Sequence, residues 1–232
     1  MTNTKIIRVV VILSLALLCF SVFYFITKDP QCQIWLYSHQ IEGTPDQSRD
    51  AYYKRGIAYS KRHQYDLAIS DYSKAIELEP KKEDAYVSRG IAYANVEKIN
   101  LALEDFTKAI ELNATMAEAY NNRGGMYFVK GEYQKAVEDC TKAIEIAGDA
   151  KSFLLRGNAY VGLKEYEKAI SDYQQAIRTN QDLVHAYFEL GAVYEKKQQY
   201  KEALNAYNEF IKNAAPSDQR IAQAKERIKG LQ

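Results

Sequence analysis

Five glycines, Gly56, Gly90, Gly124, Gly157 and Gly191, are spaced 34, 34, 33 and 34 residues apart. A fixed beat of that length constrains the fold more than composition does, because self-similarity at this period marks a solenoid of helical hairpins. Other columns keep time with it. Three residues after each glycine stands Tyr59, Tyr93, Tyr127, Tyr160 or Tyr194, and twelve after it Ala68, Ala102, Ala136, Ala169 or Ala203. Sixteen after it stands Tyr72, Phe106, Cys140, Tyr173 or Tyr207. Large residues such as Tyr52 and Tyr59 fall at i and i+7 and share one helix face. Glycine and alanine let two antiparallel helices approach closely, while tyrosines fill the space between neighbours. Turn stretches (Lys61–Gln64, Glu97–Asn100, Lys130–Glu132) separate the first helix of each hairpin from the second. Each hairpin leaves an apolar face that only a stacked neighbour can bury.

Two charged columns follow the same period. Arg55, Arg89, Arg123 and Arg156 precede the first four glycines, and Asp71, Asp105, Asp139 and Asp172 lie sixteen residues further on. The fifth repeat loses both together, with Leu190 and Ala206. Joint loss predicts pairing, as planar arginine–carboxylate contacts between packed helices. An open row of arginines binding anions is the competing reading.

AYYKRGIAYSKRHQYDLAISDYSKAIELEP (Ala51–Pro80) resembles the tetratricopeptide repeat: a bulky residue, Gly, Tyr, Ala, an aromatic, Ala and a closing Pro. The resemblance covers repeats at 49–82, 83–116, 117–149, 150–183 and 184–216, nearly three quarters of the chain. It implies an all-α, right-handed superhelical solenoid of antiparallel helix pairs. Departures are few. Ala114 and Gln181 replace the closing proline, and Phe210 stands where alanine is usual. Residues 217–232 read as a capping helix, with Ile221, Ala224 and Ile228 on one narrow stripe and charges elsewhere.

Residues 1–28 form a separate segment. After Lys5 and Arg8 comes an uncharged run of eighteen residues, Val9–Ile26, enough to cross a hydrocarbon core of ~30 Å as a helix. The run is longer than the apolar part of a signal peptide and no small-residue cleavage site follows it. The expectation is one transmembrane anchor over residues 6–26, its N-terminus cytoplasmic by the positive-inside rule and the repeats on the far side, periplasmic in a bacterium. Residues 29–48 read as a linker whose apolar patch, Ile34–Tyr37, packs on the first repeat as a cap. Without Lys5 and Arg8 the chain has 29 basic and 30 acidic residues, a balance that gives no electrostatic argument for nucleic acid.

No catalytic signature is present. The three histidines, His39, His63 and His185, have no metal-ligand spacing, and the glycines follow the packing column rather than a phosphate loop. Cys140 falls in the aromatic column and reads as a buried apolar residue. The chain therefore reads as a non-enzyme without cofactor, metal or small-molecule substrate, and recognition of a protein or peptide remains. In the family it resembles, the first helices of successive repeats line a concave groove for extended peptides or partner helices. By position, the groove here presents Tyr53, Lys54 and Ile57; Val87, Ser88 and Ile91; Asn121, Asn122 and Gly125; Lys151, Leu154, Leu155 and Asn158; and Phe188, Glu189 and Ala192. Asparagine amides can both donate to and accept from a peptide backbone.

One specialisation of that family, a clamp for the C-terminal carboxylate of chaperones, is matched only by Asn122 and Lys151, since Val87, Ile91 and Leu155 fill its other positions. Asp50, Asp84 and Glu118 form an acidic row read as helix-starting residues, where acids favour the helix dipole. The expected role is a membrane-anchored scaffold or adaptor in an envelope complex. A cytosol-facing chaperone-docking or import receptor, or the regulatory subunit of an enzyme, is the alternative.

Overall fold

The computed structural model describes residues 29–41 and 45–231, with backbone only at 45–47. The anchor expected over residues 6–26 lies outside the described residues, among which no helix is long and apolar enough to cross a membrane. Twelve helices make up the described chain, an all-α solenoid of helical repeats. They are α1 (Pro30–Ile41), α2 (Pro45–Lys61), α3 (Tyr65–Leu78), α4 (Glu83–Asn95), α5 (Ile99–Leu112), α6 (Ala117–Val129), α7 (Tyr133–Ile146), α8 (Ala150–Gly162), α9 (Tyr166–Thr179), α10 (Val184–Lys196), α11 (Tyr200–Asn213) and α12 (Arg220–Leu231).

Within α5, between Asp105 and Phe106, the chain divides into two compact units. In the first half α1 packs on α2, α2 on α3 and α3 on α4. In the second, each helix from α6 to α12 packs on the next, and α6 also touches α8.

The glycine column exists for the aromatic column. A Cβ built on Gly157 would lie 2.6 Å from the ring of Tyr173, on Gly56 2.7 Å from Tyr72, and on Gly191 2.8 Å from Tyr207. Each ring belongs to the second helix of the same hairpin, so the pair sets how closely the two helices approach. In the third repeat the ring is replaced by Cys140, and the Cβ of Gly124 would stand 3.0 Å from its sulfur. Cys140 is 1% exposed, and burial pushes its thiol up to about 12.

The first helix of every repeat ends in one way. His63, Glu97, Gly131, Lys164 and Gln198 occupy one column with φ between 57° and 75°. The following N–H then donates back to the column tyrosine, as Gln64 does to the Tyr59 carbonyl at 3.0 Å and Lys98 to that of Tyr93 at 2.9 Å. This left-handed cap satisfies carbonyls that the helix end would orphan. Only Gly131 adopts it without a Cβ penalty, which is roughly 1–2 kcal/mol for other residues. Glu97→Gly and Lys164→Gly together are expected to stabilise the fold by about 1 kcal/mol, the relief of strain net of the glycine's greater unfolded-state entropy. Urea titration checks this, and an unchanged midpoint would refute it.

The arginines are paired, as their joint loss with the aspartates predicted. Arg55 donates from Nε and Nη2 to the two carboxylate oxygens of Asp71 at 2.7 and 2.8 Å. The same two-pronged contact joins Arg89 to Asp105 (2.8 and 2.7 Å), Arg123 to Asp139 (2.8 and 2.8 Å) and Arg156 to Asp172 (2.8 and 2.8 Å). All four carboxylates are buried. A third bond, from Nη1, reaches a hydroxyl one helix earlier: Ser38, Ser73, Thr107 and Thr141 respectively, at 3.0–3.1 Å. Aromatic rings three residues before and four after flank each guanidinium, as Tyr52 and Tyr59 do at 5.6 and 5.8 Å from Arg55. An anion-binding row is thereby overturned, because the donors are already engaged. In the fifth repeat Leu190 and Ala206 join an apolar cluster with Tyr173 and Val193 instead.

Two expectations need correction. Residues 30–41 are helical, and α1 acts as a half-repeat whose Ser38 accepts from Arg55 as Ser73 does from Arg89. The apolar patch within it divides: Trp35 is 62% exposed and stacks on His39 at 4.3 Å, while Ile34, Leu36 and Tyr37 are half-buried. Asp50 does not begin a helix either. It sits in the second turn of α2, held by Lys54 at 2.5 Å and Lys82 at 3.3 Å, whereas Asp84 and Glu118 do lie in first turns.

Candidate functional site

The candidate groove residues have different surroundings in the two halves. In the first half, Tyr53 on α2 is half-buried, its hydroxyl 3.4 Å from Ser88 Oγ on α4, with Lys82 Nζ 4.4 Å from its ring centre. Lys54 is exposed and tied to Asp50. Val87 is buried, and Ile91 is 37% exposed. Of the apolar candidates here only Ile91 is exposed, and the polar atoms of Tyr53 and Lys54 already have partners.

The second half offers more polar capacity. Asn121 on α6 is 4% exposed, and its Nδ2 donates to Ser152 Oγ on α8 at 2.7 Å. Ser152 in turn donates from Oγ to Asp149 Oδ2 (2.9 Å) and from its N–H to Asp149 Oδ1 (2.9 Å), so Asp149 caps α8. This chain fixes the orientation of the amide and leaves Asn121 Oδ1 buried without a donor. Asn121 therefore acts as a strut between successive first helices. Asn122, one residue on, is half-buried and its Nδ2 has no acceptor. Lys151 is exposed, Leu154 packs against the cluster around Tyr173, and Gly125 has open space where a Cβ would be.

Asn158 on α8 is half-buried and accepts at Oδ1 from the Tyr173 hydroxyl (2.7 Å), which leaves its Nδ2 as the donor end of the amide. Phe188 on α10 packs against Tyr207 and Phe210, ring centres 5.7 and 5.2 Å away. Phe210 replaces the usual alanine and is fully buried in a cluster with Ala224 of α12, so the departure fills the seam under the capping helix. Position alone did not disclose Ser152 or the Tyr173 hydroxyl as groove partners. Burial pushes the Tyr173 phenol upward, and the charge of Glu189 adds to that.

Among the described residues no group of His, Cys, Asp and Glu could hold a metal ion. Clefts of about 430 Å³ (by Val184, Tyr187 and Lys212) and about 460 Å³ (by Glu195, Tyr200 and Leu231) open near the C-terminal helices. Neither is lined by a predicted groove residue.

Stacked helical hairpins presenting one polar–apolar face of their first helices define a repeat protein of the protein-interaction class. Tetratricopeptide repeat models match residues 50–82, 83–116, 117–149 and 185–217, and a TPR repeat model matches 157–198. The chain belongs to the tetratricopeptide repeat family. Among curated proteins none matches it. Among solved structures it is similar to the crystal structure of MamA, with 26% identity over 73% of this chain and 96% of that one, TM-score 0.63. It shares its fold with PilF of Pseudomonas aeruginosa (20% identity, 81% and 90% coverage, TM-score 0.68). The same holds for YrrB, described as a TPR protein with an unusual peptide-binding site (20% identity, 82% and 97% coverage, TM-score 0.63).

Proposed function

We propose that this chain is a single-pass, membrane-anchored adaptor that holds extended segments or helices of partner proteins against the first-helix face of its repeats, in an envelope complex. The observation that carries the reading is Asn158, half-buried on α8, whose Oδ1 is taken by the Tyr173 hydroxyl and whose Nδ2 makes no hydrogen bond within the protein. A peptide carbonyl is an acceptor that such a donor can take. The uncharged Val9–Ile26 run behind Lys5 and Arg8 supports the anchor and the orientation. The peptide-binding site named for YrrB supports the ligand class. The absence of any catalytic motif in the sequence favours an adaptor over an enzyme.

Native membranes test both parts. On sealed vesicles, protease added from the cytoplasmic side is expected to leave the repeats intact, and cleavage there would reverse the orientation. Affinity purification of the full chain, compared with an Asn122→Ala/Asn158→Ala variant, is expected to lose a partner that the wild type retains. Asn121 is left unchanged because it braces α6 against α8. Partners held equally by both would move recognition off this face.

A further inference from the structure

Glu189 is the one carboxylate in its column, where the other repeats place Lys54, Ser88, Asn122 and Leu155. It is half-buried on α10 and makes no hydrogen bond or ion pair. Charged neighbours surround it without engaging it. Arg220 of α12 is committed to Asp218 through Nε at 3.0 Å and Nη2 at 2.6 Å, and Lys196 lies over the Tyr166 ring at 5.9 Å. His185 on the same helix is exposed. Tyr173 of α9 packs in one cluster with Leu190, the next residue on α10, and the Tyr207 hydroxyl of α11 donates to Glu195 at 2.9 Å, not to Glu189.

Burial raises the Glu189 pKa, and the more distant Arg220, His185 and Lys196 only partly offset this. An ionised carboxylate stripped of water and left unpaired destabilises the free protein, and a cation brought to it recovers that loss. A second polar contact lies in the same cluster. Tyr173, packed with Leu190 beside Glu189, donates to Asn158 Oδ1, and Asn158 Nδ2 makes no hydrogen bond within the protein. The two groups ask for different things at neighbouring points: an acceptor at Asn158 and a positively charged donor at Glu189. An extended polypeptide supplies both, a main-chain carbonyl and a basic side chain.

We propose that the second half selects partner segments by a lysine or arginine side chain that pairs with Glu189, in a segment whose main-chain carbonyl is held by Asn158. This deepens the groove reading above and rests on it. The partner class follows from charge complementarity. A free amine or a helix presenting only apolar residues would not satisfy both groups.

The probe is a phage-displayed library of random dodecapeptides, panned on the full chain in detergent. The wild type is expected to enrich peptides with Lys or Arg at one fixed position, and Glu189→Lys to enrich Asp or Glu there. For one enriched peptide, replacing that basic residue with norleucine is expected to weaken binding on the order of a hundredfold to the wild type, and little to Glu189→Gln. Glu189→Gln removes the charge at constant shape, and its thermal midpoint should not fall below the wild type's, which separates lost recognition from lost folding. If wild type and Glu189→Lys select the same peptides, the cationic site is overturned. If peptides without a basic position are selected and lost with Asn122→Ala/Asn158→Ala, the groove stands and only Glu189 is refuted. If no peptide is retained by the wild type, both readings fall.

Discussion

Arg156→Leu is expected to destabilise the fold by about 3–5 kcal/mol, the magnitude seen when one partner of a buried ion pair is removed. The loss lies less in the pair's own energy than in what remains. Asp172 is 5% exposed and takes both its strong donors from Arg156, so the single variant buries a bare carboxylate. The double variant Arg156→Leu/Asp172→Ala is therefore expected to recover to within about 1–2 kcal/mol of the wild type, because a well-packed apolar pair often matches a buried ion pair. The chain already contains this arrangement at Leu190 and Ala206, both at most 7% exposed within an apolar cluster. Chemical denaturation of the two variants decides the matter. A double variant as unstable as the single one would show that the aspartate is not where the cost arises.

Gly157→Ala is expected to lose about 2–3 kcal/mol, at the upper end for overpacking a core. The new methyl would meet the Tyr173 ring at 2.6 Å, and that ring is 1% exposed with its hydroxyl fixed on Asn158. It has nowhere to turn. Gly124→Ala serves as the internal comparison, since a Cβ there meets the sulfur of Cys140 at 3.0 Å and otherwise nothing nearer than 3.4 Å, and a loss below about 1 kcal/mol is expected. Thermal unfolding of the two variants measures the contrast. Equal losses would mean that helix–helix distance, rather than the facing ring, governs the glycine column.

What could be read from the sequence was what repeats. The glycine, tyrosine and alanine columns repeat five times, so each substitution within them is a control on the others. The arginine–aspartate pairing was legible for the same reason, through its joint loss in the fifth repeat. The hydroxyl that completes each contact also keeps the beat, as Ser73, Thr107 and Thr141, and gives way to Gln174 before the repeat that lacks the arginine. Residue type alone does not show that it reaches the next guanidinium, which only three-dimensional register reveals. The helix at 30–41, inside the 29–48 stretch that the sequence marks as a linker, escapes detection because it has no partner to make a hairpin recognisable. The left-handed turn residues were hidden because four of the five are not glycine.

The candidate face was legible only as a set of positions. Position could not separate Asn121, which is spent on Ser152 between two helices, from Asn122, whose donor is unspent. Neighbouring residues on a helix differ by about 100° in direction, so adjacent asparagines can have unrelated roles. Glu189 likewise gains meaning only once Arg220 is seen to be committed to Asp218.

The backward reach of each arginine gives the array a direction. Arg89 takes its hydroxyl from Ser73 within the first half, and Arg123 and Arg156 take theirs from Thr107 and Thr141 within the second. In every case the acceptor precedes the donor in the chain. Domains form in order from the N-terminus as synthesis proceeds. A repeat emerging from the ribosome thus finds the hydroxyl it needs already folded, and never waits on one still to be made. Removing repeats from the C-terminal end takes no hydroxyl from any arginine that remains, whereas removing α1 strips Arg55 of Ser38. The array is built to be extended at one end and trimmed at that same end.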